Sequence, residues 1–439
     1  MPSRSRGRRA SQESYASGLR DAISRLLPHR GLALLETDQR ICWTPRLLVM
    51  GAVLMAWEAS ATLKDRFAAA RACVAEMYPT RRRPGGTYEG FVAALARHSQ
   101  QLLAAVEQAL REAVESLARQ RRQWTLGGWC VFGCDSTKID CPQTVANERC
   151  FGCASKKGSW PQQLLTVIFH AGSGLPWCFT RGAATASERQ HLRSLLSLLP
   201  AQSMLLMDAG FTGYELLREI LAGGRQFVMR VGSNVRLLKK LGYAAREYDG
   251  IVYLWPQPQQ KRRTEPLVLR LIRLSDGRGR SIYLLSSVLQ HNRLSDRQAG
   301  ELYRRRWGIE LMYRALKQTM RRRKMLSTCP SHAQVELDWS VVGLWMLGAV
   351  ALSELSAPAA TPAMAKALRV VRCWMQRRPS QQNLGDAHCG DDYHRRTRKR
   401  SRHWPKKKRI KPPARPKARM ASPKQIALAR EVRETKAAA

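Results

Sequence analysis

The sequence predicts a mixed α/β protein: a helical N-terminal region, a strand-and-helix domain, and a basic tail. Three observations predict it. Apolar residues keep helical spacing from 44 to about 120. Short β-forming runs alternate with helical stretches from about 129 to 320. The segment 395–419 holds fourteen Lys and Arg, several prolines and no acid. A 44% share of hydrophobic residues is that of a chain with a real core.

In the N-terminal region, Thr44 and Pro45 make an N-cap and first-turn pair ahead of Leu47, Leu48, Met50, Leu54 and Met55. Pro84-Gly85-Gly86 breaks the chain, and Thr87 caps a second long helix. Its apolar positions Phe91, Leu95, Leu102, Val106, Leu110, Val114 and Leu117 lie on one face.

The texture changes after Gly127-Gly128. Strands are expected at 129–134, 164–171 and 176–181, the last two joined by Gly172-Ser173-Gly174 as a hairpin. Ser187 to Gln190 fits a capping box opening a helix. A buried strand over 204–207, a helix over 213–222 and a strand over 226–231 follow. Segments 250–255, 266–274 and 281–287 read as an inserted β subdomain at about 234–288, with a turn at Asp276-Gly277. Helix returns at about 295 and continues past 320. The apolar stretch 339–352 is shorter than the roughly 20 residues of a membrane span, and Asp338 and Glu354 bracket it, so it reads as a core helix. Residues 395–419 cannot bury a core and are expected to be disordered.

Charge narrows the partner. With 75 Lys and Arg against 33 Asp and Glu, a formal +42, the chain is expected to bind polyanions, nucleic acid first. No apolar run follows the basic start, and eleven cysteines stand at irregular spacing. That combination predicts free thiols and a cytoplasmic, nucleoid-associated protein without a membrane partner.

Two aspartates stand at equivalent places, Asp135 after WCVFGC and Asp208 after SMLLM. Strands of one sheet deliver their ends to a common edge, so two such carboxylates can converge there, as oxygen ligands suited to Mg²⁺. Starting a turn or capping a helix is the other role open to each. Farther on, in LYRRRWGIELMYRALKQTM, Tyr303, Arg306, Glu310 and Lys317 fall within an arc of roughly 60° on a regular helix. A solvated basic helix face is the alternative reading of that stripe. Asp140 reads as a loop carboxylate. Cys130, Cys134, Cys141, Cys150 and Cys153 read as packing residues rather than a zinc site, because C-x2-C at 150–153 lacks a second matching pair. His388, Cys389 and His394 form a looser group still.

The spacing Tyr-x2-Arg-x3-Glu-x6-Lys resembles the signature of bacterial insertion-sequence transposases of the group named after insertion sequence four. The transposon-ten and transposon-five enzymes belong to that group. GCDSTKIDCPQTVANERCFG and MLLMDAGFTGYELL resemble its first and second motifs, and YLLSSVLQHNRLSDRQAGELYRRRW resembles its approach to the glutamate. The likeness runs over roughly 45–355.

The resemblance implies a ribonuclease H-like catalytic domain over 126–355 with the β insertion inside it. It would follow a basic disordered arm (1–30) and a helical DNA-binding domain (31–125), and precede a C-terminal linker and basic tail (356–439). Asp135, Asp208 and Glu310 would hold two Mg²⁺ ions, with Mn²⁺ able to substitute. The implied activity is a Mg-dependent DDE transposase: cleavage at insertion-sequence ends, then joining of the 3′-hydroxyls to target DNA. Tyr303, Arg306 and Lys317 would bind double-stranded DNA, the terminal inverted repeats and the target, near the cut. Trp307, beside the motif, or Trp255, in the insertion, is the candidate to stack a flipped base. Joining two ends implies a dimer on DNA. Two rivals stand beside this reading: a silent or co-opted relative that binds DNA without cutting, and an RNA-packaging protein favoured by charge alone.

Overall fold

The computed structural model describes residues 18–27, 42–79, 83–153, 160–275, 281–357, 360–388 and 415–438. They divide into two compact units, one of residues 1–124, 136–186 and 309–397, the other of 125–135, 187–308 and 398–439. Most of the expected arm, and residues 389–414 of the expected tail, lie outside the described residues. So does the expected Asp276-Gly277 turn.

The strands are β1 (Cys130–Asp140), β2 (Gln162–His170), β3 (Leu175–Ala183), β4 (Ser203–Met207), β5 (Gln226–Val231), β6 (Arg236–Lys239), β7 (Ile251–Leu254), β8 (Leu267–Ser275), β9 (Ser281–Ser286) and β10 (Lys417–Met420).

In the second unit the strand order is β10-β6-β7-β8-β9-β5-β4-β1. The pairs β1–β4 and β4–β5 are parallel, and β5–β9, β9–β8 and β8–β7 are antiparallel. β4 and β5 are buried runs of Met, Leu, Val and Phe, the pattern of strands covered on both faces. The helix Tyr214–Ala222 connects them and buries Leu216, Leu217 and Ile220.

Two expectations change here. The region 234–288 does not stand apart as a subdomain: β9 pairs with β5, so its strands extend the sheet. The segment 415–438, expected within a disordered tail, holds β10, paired in parallel with β6, and the helix Pro423–Ala438. The reason is local. Ser422 and Gln425 cap each other's backbone N–H. Ala429 and Val432 then bury against Leu238, Leu241, Ile251, Tyr253 and Trp255. Basic composition outweighed that short apolar stripe in the sequence reading.

In the first unit the helix Pro330–Glu354 is apolar all round and long enough to cross a membrane by composition, yet 94% of its apolar window is buried. It packs on the helices Pro45–Trp57 and Tyr88–Gln120 and on β3. Thr44 and Thr87 cap those two helices, accepting from the N–H groups of Leu47 and Gly90. The core face of the long helix runs as expected to Val114; Ala118 then takes the buried place, leaving Leu117 half-buried. A largely buried ion pair helps pin the unit: Arg181 donates to both carboxylate oxygens of Asp338, at 2.6 and 2.9 Å.

β1 runs six residues past its expected end at Cys134. The alternative that Asp135 starts a turn does not hold, since residues 136–140 continue the strand. Asp140 N–H donates to the Arg323 carbonyl, and its own carbonyl accepts from Met325 N–H. These bonds supply a ladder partner remote in sequence.

Candidate active site

The two aspartates hold matched positions in the second unit. The parallel register runs from Cys130 opposite Ser203 to Gly133 opposite Leu206. Two residues farther along each strand stand Asp135 and Asp208. Neighbouring strands lie about 4.8 Å apart with alternating side chains, so equal offsets put both carboxylates on one face. Asp208 stands just past the carboxyl end of β4, while Asp135 lies midway along β1. Asp208 also caps the short turn Ala209–Phe211, Oδ1 accepting from Ala209 N–H at 2.7 Å.

A guanidinium reaches this pair. Arg306 Nη1 lies 3.5 Å from Asp135 Oδ2, with 9% of the Arg306 side chain and 27% of the Asp135 side chain exposed. Burial pulls the Arg306 pKa down, but Tyr303, Asp208 and Asp135 outweigh it and hold it above the ordinary arginine value. The guanidinium carbon is 5.7 Å from the centre of the Tyr303 ring. Burial pushes the Tyr303 phenol up to about 12, with Asp208 adding to the rise and Arg306 opposing it.

The helix Asp296–Arg305 carries Tyr303 and sets Arg306 at its end. Ser295 and Gln298 form a capping box at its start. The buried Arg270 of β8 donates to the Leu294 carbonyl. Gly300 lies against Leu274 of β8, where a Cβ would come within 2.7 Å of Leu274 Cδ1. A larger residue there would require the Leu274 side chain to shift.

In the first unit, Glu310 is half-buried in the first turn of the helix Trp307–Arg314. Lys317 Nζ donates to Thr137 Oγ1 at 2.6 Å. Burial holds its ammonium below the usual lysine range, with Asp140 opposing the shift and Arg323 adding to it. Thr137 was not singled out from sequence. With β1 extended, it falls two residues past Asp135 on the same strand face, which is the signal that finds it.

The single regular stripe from Tyr303 to Lys317 is corrected. The α-helix breaks at Arg306, whose N–H bonds to the Tyr303 carbonyl, and Ala315–Thr319 widen into a π turn. Helix does not continue past 320. Arg321 has φ +57°, which an α-helix cannot include, and the buried Arg322 donates to the carbonyls of Met320, Met55 and Ala56.

Trp307 is 57% exposed. Trp255 is core, its Nε1 donating to the Thr264 carbonyl at 2.7 Å. Asp140 ends β1 rather than sitting in a loop, and its carboxylate accepts from Gln162 Nε2 at 2.7 Å. Cys134 and Cys141 are buried and Cys150 is exposed; burial pushes the Cys141 thiol up to about 11. The His388 carbonyl accepts from Lys366, and Cys389 and His394 lie outside the described residues. Among the described residues, no three His, Cys, Asp or Glu side chains are grouped closely enough to hold a metal ion.

The two aspartates thus stand at equal offsets from the β1–β4 register, with a guanidinium near Asp135. Residues 130–346 match the family model for the transposase DDE domain. Transposase InsG of insertion sequence element IS4 from Escherichia coli (strain K12) is 28% identical over 230 residues, covering 49% of this chain and 51% of that protein. Residues 130–346 of the chain are thus similar to the transposase DDE domain, and part of the chain is similar to a transposase of insertion sequence element IS4. The chain spans about half the length of this curated relative. A cryo-EM structure of the piggyBac transposase synaptic complex with hairpin DNA covers 81% of this chain and 78% of its own at 12% identity, with a TM-score of 0.39. That score is too low to define a shared fold.

Proposed function

We propose that this chain is a DNA transposase that cleaves the ends of an insertion sequence and joins the 3′-hydroxyls to target DNA. Asp135, Asp208 and Glu310 hold its divalent metal ions, on a ribonuclease H-like sheet. The observation that carries the reading is the pair Asp135 and Asp208, in register on adjacent parallel strands with a cationic side chain against it. The donor set fits: carboxylate oxygens on one sheet face are what Mg²⁺ takes, and the Arg306 guanidinium already stands where positive charge is favoured.

Bound Mg²⁺ supplies charge to the attacking and leaving oxygens of an in-line displacement at phosphorus. The chain's own residues do the holding. Lys317, fixed by Thr137, presents an ammonium to a phosphate. Arg306, backed by the Tyr303 ring, presents a guanidinium, and the exposed Trp307, next to it in sequence, offers an aromatic face. Double-stranded DNA, as transposon ends and target, is the substrate, and two copies of the chain are needed to hold two ends.

The test is strand cleavage of DNA carrying the element's termini. In Mg²⁺ the wild type should nick it. Asp208→Asn should lose on the order of 10³ in rate or more while keeping its affinity for DNA, which rests on Lys and Arg against phosphate. The absence of a three-acid group among the described residues favours a second reading, a relative that binds the same DNA without cutting. That reading expects equal binding and no metal-dependent nicking by the wild type.

A further inference from the structure

The acidic pair of the candidate site is already neutralised in part by a side chain of the protein. Arg306 touches Asp135 through one nitrogen at 3.5 Å, and the charge of Asp208 acts on the same guanidinium. A guanidinium and a divalent ion cannot share one carboxylate oxygen, because Mg²⁺ takes near-octahedral oxygen ligands at about 2.1 Å. Arginine does not lose its proton in proteins, so the contact can be released only by movement. We propose that Arg306 is an exchangeable counter-ion: it neutralises Asp135 and Asp208 while the metal is absent, and moves to a DNA phosphate as metal ions enter. This rests on the reading of the two aspartates as metal holders.

Three features make the contact exchangeable. It is long, at 3.5 Å, where an arginine fork matched to a carboxylate bonds near 2.8 Å. Arg306 stands at the break between two helices, its N–H bonded to the Tyr303 carbonyl three residues back, so its side chain leaves from a junction rather than from a locked turn. Its neighbours Arg304, Arg305 and Trp307 are exposed, which puts a phosphate-binding surface beside the site. The Tyr303 ring gives the guanidinium a perch on the way.

The consequence is a coupling between ligands. DNA that draws Arg306 away uncovers the carboxylates, so DNA raises metal affinity, and by linkage metal raises DNA affinity. A fixed neighbouring charge would weaken metal binding too, but it would not make that binding respond to DNA.

The test is Mn²⁺ binding to the full chain, followed by electron paramagnetic resonance of the free ion. It is run with and without a short duplex, with the DNA-only isotherm subtracted. Without DNA, Arg306→Gln should bind Mn²⁺ roughly 5- to 50-fold more tightly than wild type, the usual span of such couplings. Adding duplex should tighten Mn²⁺ binding to wild type and leave Arg306→Gln unchanged. Arg306→Lys keeps a movable cation, so DNA should still tighten its Mn²⁺ binding. It serves as the second variant should the glutamine form fail to fold. Unchanged or weaker Mn²⁺ binding by Arg306→Gln overturns the proposal, and so does a DNA response that persists in it or is lost in Arg306→Lys. Asp208→Asn separates the two levels: equal Mn²⁺ binding by Asp208→Asn and wild type removes the metal-holding reading itself, whereas a failure confined to the Arg306 variants removes only the exchange.

Discussion

Arg181 with Asp338, in the first unit, and Arg306 with Asp135, in the second, are the same two residue types under opposite conditions. The first pair makes two short bonds, and the Asp338 side chain is 5% exposed. In the second, Arg306 Nη1 stands 3.5 Å from Asp135 Oδ2, with Asp135 27% and Arg306 9% exposed. Burial pushes the Asp338 carboxyl up while the bonds from Arg181 pull against it, so that pair is committed to one arrangement. Asp135 is partly exposed and stands farther from its arginine, which is the contact proposed above to be exchanged. Geometry rather than residue type separates a pair that holds a core together from one that can work on a ligand.

The largest stability effect should come from breaking the committed pair. Arg181→Met leaves a buried carboxylate without its cation, at about 3–5 kcal/mol. Arg306→Met leaves a carboxylate that water still reaches in part, so it should cost less. Urea melts of both variants check the contrast, and equal midpoints would erase it.

A second effect in the first unit is pH-dependent. His170 is buried with Nε2 against the Trp124 carbonyl and Nδ1 facing Ser173, and burial holds its pKa down at about 4. The folded chain resists protonating it while the unfolded chain does so near 6.5. Its contribution is therefore full above pH 6.5 and lost as pH falls toward 4, about 3 kcal/mol across that window. Unfolding titrations between pH 7 and 4 should show that fall, flattened in His170→Gln.

The smallest effect tests the C-terminal helix. Val432→Ala removes two buried carbon groups from the cluster around Tyr253 and Trp255, at about 1.5 kcal/mol. A truncation after Gly390 should destabilise the second unit rather than only weaken DNA binding. If residues 423–438 were a passive overhang, neither change would move the melting curve.

What the sequence could reveal tracked how local the cause was. Thr44, Thr87 and Ser187 marked helix starts because capping is decided within four residues. Asp135 and Asp208 were legible because each ends an apolar run. The extension of β1 was not, since residues 323–325 complete its ladder from far along the chain. Neither was the break at Arg306, because a 100° stripe assumes the regular helix that the π turn Ala315–Thr319 interrupts. The helix at 423–438 was within reach: Ser422 and Gln425 form a readable cap, and Ile426, Ala429 and Val432 recur every third residue, but the surrounding charge dominated the reading.

The most direct measurement pairs the rate of Mg²⁺-dependent nicking with the melting temperature for wild type, Asp208→Asn and Arg181→Met. Asp208→Asn should abolish nicking with the melting temperature nearly unchanged. Arg181→Met should lower the melting temperature while nicking, measured well below it, continues at the wild-type rate. Nicking by Asp208→Asn at wild-type speed would contradict the assignment of the paired aspartates as the catalytic acids.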